Sequence, residues 1–414
     1  MASTPTPDKS DPADIDNPPD PLLAPADGVP PVLIEPGEFA DAAARLRSGS
    51  GPIALDTERA SGFRYSQRAY LIQIRRSGAG TLLLDPIDHP DHLGELIDAL
   101  TGPEWVLHAA DQDLPCLREL GFSCETLYDT ELAGRLLGLH RVNLAAMTAH
   151  FLGRELRKGH GAADWSKRPL PDDWLNYAAL DVELLVELRD AMDKQLRAEG
   201  KDSWAAQEFA YVLTRPPAPP RLGRWRRTSN IHSLSTRRQL AAVRELWQAR
   251  EELAQSRDVA PGRVLPDSAI IDAARVNPAT AEELTRLAVF GGPRQRHHAR
   301  RWLAALHRAQ ALPEDELPAR TAPSTGLPPV NRWEQRNPEA AARAAAVRPA
   351  IAEIAESVSV PAENLLAPDL VRQLCWAGVS ASPGAVDEAL ATGAARPWQR
   401  ELTRDAIATA LGRL

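Results

Sequence analysis

The segment PIALDTER, residues 52–59, constrains the chain more than any other. Ile53, Ala54 and Leu55 form an apolar run of strand type that ends on Asp56-Thr57-Glu58. Side chains alternate faces along a strand, so Asp56 and Glu58 point one way and Thr57 the other. Two like charges at the end of a buried strand repel each other unless positive charge sits among them. Such an arrangement reads as part of a site for a hard cation with oxygen ligands.

The surrounding pattern is α/β over residues 30–213. PPVLIEPGEFADAAARLRSG reads as a short strand and a helix. GPIALDTE, RAYLIQIRR and AGTLLLDPI read as three strands, with turn signals that fit sequential antiparallel pairing. EWVLHAA is a fourth strand, leading to a helix at DLPCLRELG, and ETLYDTELAGRLLG adds a short strand and a helix. VNLAAMTAHFLG is helical by apolar spacing, and DDWLNYAALDVELLVELRDAMDKQLRAEG reads as one long amphipathic helix. Residues 214–234, with TRPPAPPRLGRW, read as a basic Pro/Arg-rich linker. Residues 235–312 and 330–414 carry only helical periodicity, with a second linker at 313–329 between them. Residues 1–29 read as a disordered acidic lead: the first 28 hold six Asp, one Lys and seven Pro, without the apolar centre of a signal peptide.

With 414 residues, several domains are expected. No run of about 18 apolar residues occurs, which argues against a membrane span. The three cysteines, Cys116, Cys124 and Cys375, are too few and unpatterned for a disulfide framework or a structural zinc site. They suit a reducing cytoplasm. The formal net charge of −8 hides an uneven distribution. Residues 221–250 hold eight Arg and one acid, and residues 284–308 hold six Arg, three His and no acid. Such stretches can present a basic face to a polyanion, although solvated helix faces have the same composition. Arg221, Arg224, Arg226 and Arg227 precede the first helical module. Arg294, Arg296, Arg300 and Arg301 fall in its last predicted helix, where Arg294, Arg301 and His297 or His298 share one side.

Further acids stand at suggestive places. Asp113 lies where LHAADQDLPCL turns from strand to helix, and Tyr177 and Asp181 are four apart on one helical face. Each piece alone has a bland reading. Asp113 suits a helix cap, Asp-x-Glu occurs by chance at strand ends, and a Tyr beside a surface acid is common on helices. Together, in this order and in these contexts, they describe a cluster of carboxylates that needs cations. Mg²⁺ or Mn²⁺ suits such ligands. Two ions about 3.5–4 Å apart activate water and stabilise an in-line displacement at phosphorus.

The ordered motifs resemble those of ribonuclease D and, more broadly, the tyrosine subclass of the DEDD superfamily of 3′-5′ exonucleases. LDTE matches the first motif, LHAADQDLPCL the second and YAALD the third; YLIQI, YDTELAGRLLG and DWSKRPL support the match. Residues 235–311, with RELWQAREELAQSRDVAPGRVLPDSAI, resemble an HRDC domain. The last stretch is similar to HRDC only in its helical layout. The resemblance implies a ribonuclease H-like mixed-sheet exonuclease domain followed by two all-α domains, HRDC and HRDC-like. It also implies that Asp56, Glu58, Asp113, Tyr177 and Asp181 are catalytic, and that the four carboxylates bind two divalent ions. Asp56, Glu58 and Asp181 would ligate the ion on the nucleophile side, Asp56 would bridge to the second, and Asp113 would help hold that one through a water. Tyr177 would orient the attacking water, since a phenol with a pKa near 10 is a poor base. The implied activity releases nucleoside 5′-monophosphates from RNA 3′ ends, in tRNA precursors or other structured RNA.

Other residues carry weaker signals. His108 reads as a core histidine, Gln73 as packing or a sheet-edge hydrogen bond near the site, and Asp129 as fold support. Thr57 reads as structural. Lys158, Lys167 and Arg168 flank the third motif and read either as phosphate contacts or as loop charges. Trp165, Trp174 and Trp225 read as packing rather than base-stacking groups. Three alternatives stay open: a 3′-5′ DNA exonuclease acting on single strands, a catalytically silent nucleic-acid-binding protein, and a purely structural role for the C-terminal half.

Overall fold

The computed structural model describes residues 18–156, 159–216, 219, 221–321 and 326–414. Eight strands are present among them: β1 (Asp20–Leu22), β2 (Val32–Leu33), β3 (Ser50–Arg59), β4 (Ala69–Ser77), β5 (Gly80–Leu84), β6 (Trp105–Leu107), β7 (Leu127–Asp129) and β8 (Arg154–Leu156). Six form one mixed sheet in the order β2-β5-β4-β3-β6-β7. β3, β4 and β5 pair antiparallel in sequence, as their turn residues predict; Gly78 and Gly80 supply the positive φ angles of the tight β4–β5 turn. β6 and β7 add on the other side of β3 in parallel, which requires the helical crossovers between them. Both faces of the sheet are covered. Ile53, Leu55, Ile72, Ile74, Leu82 and Leu84 share a core with Phe39 and Leu46 of helix α1 (Pro36–Ser48). The opposite face carries Asp56 and Glu58 of β3, and Leu71 and Gln73 of β4 across from them.

Five further helices belong to this domain, two before β7 and three after it: α2 (Gly94–Leu100), α3 (Leu114–Glu119), α4 (Thr130–Leu136), α5 (Leu144–Leu152) and α6 (Asp172–Glu183). α6 lies on the Asp56 face, where Ala178 and Ala179 pack with Leu71 and Leu83. The long helix expected from Asp172 onward is two helices. Leu184, at φ −107° and ψ 0°, separates α6 from α7 (Leu185–Ala198). The break has a packing cause. α6 buries Ala178 and Ala179 beneath the acidic site, whereas Leu185, Leu188, Met192 and Leu196 of α7 join the main core.

Two boundaries also differ from expectation. Within the expected disordered lead, residues 18–29 are described and packed: β1 pairs with β8, and Leu22 buries against Leu156, Leu180 and Leu184. Residues 1–17 lie outside the described residues. The expected linker at 214–234 contains two short 3₁₀ turns, Arg224–Arg227 and Ile231–Ser233. Trp225 anchors this stretch in the helical core with Leu246 and Trp302, so an apolar anchor overrides the basic composition.

The first helical module begins at α9 (Arg237–Arg257), which follows α8 (Asp202–Thr214) and the Trp225 segment. Thr236 and Gln239 form a capping box at its start. The last predicted helix of this module is interrupted at His298, giving Pro293–His297 and Ala299–Ala311. The C-terminal module is fused to the α/β domain by a shared apolar core. Trp398 stacks on Trp204 of α8 with centroids 4.9 Å apart, and its indole N–H donates to Glu208 at 2.8 Å. Arg396 donates to the same Glu208 oxygen at 2.7 Å.

Candidate metal centre

β3 delivers Asp56 and Glu58 to one face of the sheet, and α6 crosses that face with Tyr177 and Asp181. One carboxylate oxygen from each of Asp56, Glu58 and Asp181 can be chosen so that all lie within 4.8 Å of one another. Asp113 lines the same cavity but stands outside this trio. Its carboxylate accepts a 2.6 Å hydrogen bond from Thr57 Oγ1, and Arg59 Nη2 lies 3.9 Å away. Thr57 points to the opposite face, as strand alternation predicts, and there it fixes Asp113. A second buried acid sets the loop that carries Asp113. Asp129 caps α4 through the N–H groups of Glu131 and Leu132, and also accepts from Ala109 and Ala110. Ala109 has a φ of 58°, an unusual conformation for a residue with a Cβ, which these bonds hold.

The Tyr177 hydroxyl stands beside the Asp181 carboxylate and acts on it electrostatically. Its ring is covered by the backbone at Gly159, where an added Cβ would stand 2.7 Å from Tyr177 Cδ2. The cavity has a volume of about 500 Å³ and is also lined by Arg59, His108, Gln112, Glu131 and Asn143. His108 accepts or donates at Thr130 Oγ1 over 2.9 Å, and burial pushes its pKa down to about 4, so the ring is neutral at pH 7.

The electrostatics follow from burying acids together. Burial raises the pKa of every carboxyl in the cluster, and the neighbouring acids raise several further. Asp56 is held well above its ordinary range, first by burial and then by Asp113, Asp181 and Glu58. Glu58 is pushed up to about 9, and Asp181 to about 7. Asp113 is raised to about 6 by burial, with the Thr57 bond and Arg59 opposing. Burial also raises the Tyr177 phenol, which therefore stays protonated at neutral pH. Clustered, partly desolvated oxygen donors with this deficit of positive charge fit divalent hard cations.

All five predicted site residues line this one cavity. The weaker candidates divide. Arg168 is spent on structure, with bonds to Asp85 and to the carbonyls of Trp165, Lys167 and Tyr70. Trp165 and Trp225 are buried packing groups, and Trp174 is half-buried between Trp165 and His160. Lys158 lies outside the described residues. Sequence reasoning missed Arg59, Gln112, Glu131 and Asn143. Arg59 directly follows the first motif, but its approach to Asp113 depends on an irregularity between Glu58 and Arg59 in the β3–β4 pairing.

A family model described as 3′-5′ exonuclease matches residues 33–197, one described as HRDC domain matches 239–306, and one described as 3′ to 5′ exonuclease C-terminal domain matches 326–411. Ribonuclease D of Nitrobacter hamburgensis is 30% identical over 315 residues, covering 73% of this chain and 74% of that protein. Ribonuclease D of Escherichia coli is 29% identical over 327 residues, covering 78% and 84%. The crystal structure of a protein from Bifidobacterium adolescentis superposes with a TM-score of 0.86 at 38% identity, covering 95% of this chain and all of that one. Escherichia coli RNase D shares the fold, with a TM-score of 0.64 at 24% identity over 92% of this chain and 98% of that one. From its matched domains and relatives, the chain belongs to the ribonuclease D family, the divalent-metal-dependent 3′-5′ exoribonucleases of the DEDD superfamily.

Proposed function

We propose that this chain trims RNA from the 3′ end to nucleoside 5′-monophosphates, with Asp56, Glu58, Asp113, Tyr177 and Asp181 as its catalytic residues. The observation that carries the assignment is the trio of converging carboxylates beneath Tyr177. Asp56, Glu58 and Asp181 would hold the divalent cations, Mg²⁺ or Mn²⁺ and two in number, with Asp113 assisting through a water. Bound there, the ions supply an activated water and neutralise charge that develops on the phosphate oxygens.

The chain's own groups supply position. Thr57 holds Asp113 in one orientation, and Asp129 fixes the loop behind it. Tyr177, protonated and beside Asp181, orients rather than accepts a proton. Arg59 is the cation that lines the cavity beside these acids, and it is placed to meet a substrate phosphate. The substrate is structured RNA, including tRNA precursors. Processing of structured RNA is what the Escherichia coli relative is described as doing. Single-stranded DNA is the lesser substrate, and the reducing cytoplasm is the setting. Among the described residues no helix is long and apolar enough to cross a membrane.

The test is degradation of 5′-labelled RNA and DNA of matched sequence with Mg²⁺, Mn²⁺ or EDTA. A ladder shortening from the 3′ end, release of mononucleotides, arrest by EDTA and preference for RNA are expected. Cleavage inside a circular RNA overturns the reading.

A further inference from the structure

Gln73 stands directly across from Asp56 in the β3–β4 pairing. Opposed residues of an antiparallel pair put their side chains on the same face, with Cβ atoms about 4.5–5.5 Å apart. Gln73 is fully buried, at 0% exposure. Both its amide nitrogen and its amide oxygen are buried without a hydrogen-bond partner. Among the described residues no other side chain has both polar ends in that state. A buried amide without partners is unfavourable, so a chain that keeps one there has a use for it. Apolar residues suit the position, since Leu71 precedes Gln73 on the same face and Leu83 pairs with it from β5. The local charges are otherwise matched. Two residues along β4, Arg75 pairs with Glu183 of α6 at 3.0 Å, which balances the charge of that acid although its Oε2 takes no hydrogen bond. The acid left facing Gln73 across the strand pair is Asp56, which is held among other acids and gains support from the backbone at Thr57.

We propose that Gln73 is a positioning residue for the metal centre, its amide N–H donating to the Asp56 carboxylate in the cation-loaded protein. The inference rests on the assignment of Asp56 as a metal ligand. A carboxylate that ligates with one oxygen leaves the other free to accept a bond, and such a bond fixes the carboxylate plane and keeps the ligand ionised. The amide is neutral, so it supports the anion without competing with the cation for the site.

The test is Mn²⁺ titration of the full-length protein by calorimetry, comparing wild type with Gln73→Met. Methionine keeps the length and approximate volume of the side chain and removes both hydrogen-bonding ends. The dissociation constant for Mn²⁺ is expected to rise about 10- to 100-fold, the range found when groups that orient metal ligands are removed. The melting temperature of the metal-free variant is expected to equal or exceed that of wild type, which separates a lost ligand-orienting bond from a lost packing contact. Gln73→Leu, matched to Leu71 and Leu83, carries the same test if the methionine variant does not fold. Mn²⁺ affinity within twofold of wild type in a folded variant overturns the inference and leaves the metal centre standing. No Mn²⁺ uptake by the wild-type protein overturns the metal assignment itself, and this role with it.

Discussion

Asp181 lies beside the Tyr177 hydroxyl and adds charge to Glu58 and Asp56, so its replacement separates electrostatics from packing. Unfolded carboxyls titrate near 4, roughly, whereas Asp113, Asp181 and Glu58 are raised to about 6, 7 and 9 in the folded chain. The metal-free folded state therefore binds more protons than the unfolded state between these limits. Stability from these groups is full below the unfolded value and is lost as pH rises through the folded ones. The metal-free melting temperature should fall from pH 5 to pH 9, and Mn²⁺ should remove most of that fall. Asp181→Asn should flatten the profile while cutting turnover by orders of magnitude. A profile as steep as wild type, measured by differential scanning fluorimetry in EDTA, contradicts the burial argument; wild-type turnover contradicts the site. Tyr177→Phe deletes the hydroxyl and keeps the ring. We expect kcat to fall by about 10²-fold with KM little changed, because the lost contact positions groups during reaction. A kcat equal to wild type would reduce the tyrosine to packing.

At the scale of elements, the site is built where β3, the 108–113 loop and α6 meet, and the segment before α6 closes it. Gly159 touches the Tyr177 ring so closely that a Cβ would overlap it at 2.7 Å. Gly159→Ala should displace the tyrosine and lower kcat by roughly the same factor as Tyr177→Phe, since both remove the positioned hydroxyl. Near-native melting with that loss, seen by calorimetry alongside turnover, separates displacement from unfolding; native turnover refutes the contact. This closure was not legible in KGHGAADW, because a glycine's meaning depends on what the fold brings against it. Strand alternation in LDTE did reveal which side chains share a face, and the three ordered motifs revealed which elements converge. The division of α6 from α7 was hidden because their apolar stripes run on in one helical period although they face different cores. Asp129 was readable as a capping acid before ELAGRLL, but its grip on Ala109 and Ala110 is a long-range contact that no local pattern reports.

The whole molecule is one in which both helical modules are tied to the α/β domain, and this changes which experiment reports on RNA binding. Removing everything after Thr214 would strip Trp398 from Trp204 and leave the Glu208 carboxylate without Arg396 and the Trp398 indole. That truncation tests folding before it tests affinity. The first helical module is tied as well. Asp258, just past the end of α9, accepts from the N–H groups of Tyr65 and Ser66 at 3.1 and 2.8 Å, and Arg263 covers the Phe63 ring at 4.0 Å. These contacts hold the loop between β3 and β4, immediately beyond Glu58 and Arg59, so a face on this module keeps a fixed relation to the site. The expected basic stripe is not one helical face, since the helix is broken at His298. Arg294 donates to the Arg263 carbonyl and Arg301 pairs with Glu252. Burial lowers the His298 pKa, and the neighbouring Arg257, His297 and Arg301 lower it further, which marks a local concentration of basic groups. Arg257, Arg296 and Arg300 are exposed there. If each meets one RNA phosphate, combined replacement by Gln should reduce the magnitude of the slope of log K against log salt by about 2, at about 0.7 per contact on a single strand. Affinity for long RNA should fall at low salt, while turnover of a short oligonucleotide at saturation stays unchanged because no replaced group enters the cavity. An unchanged salt slope in filter-binding titrations would assign this face to solvent or to protein contacts, and leave the fixed module as a brace for the catalytic loop.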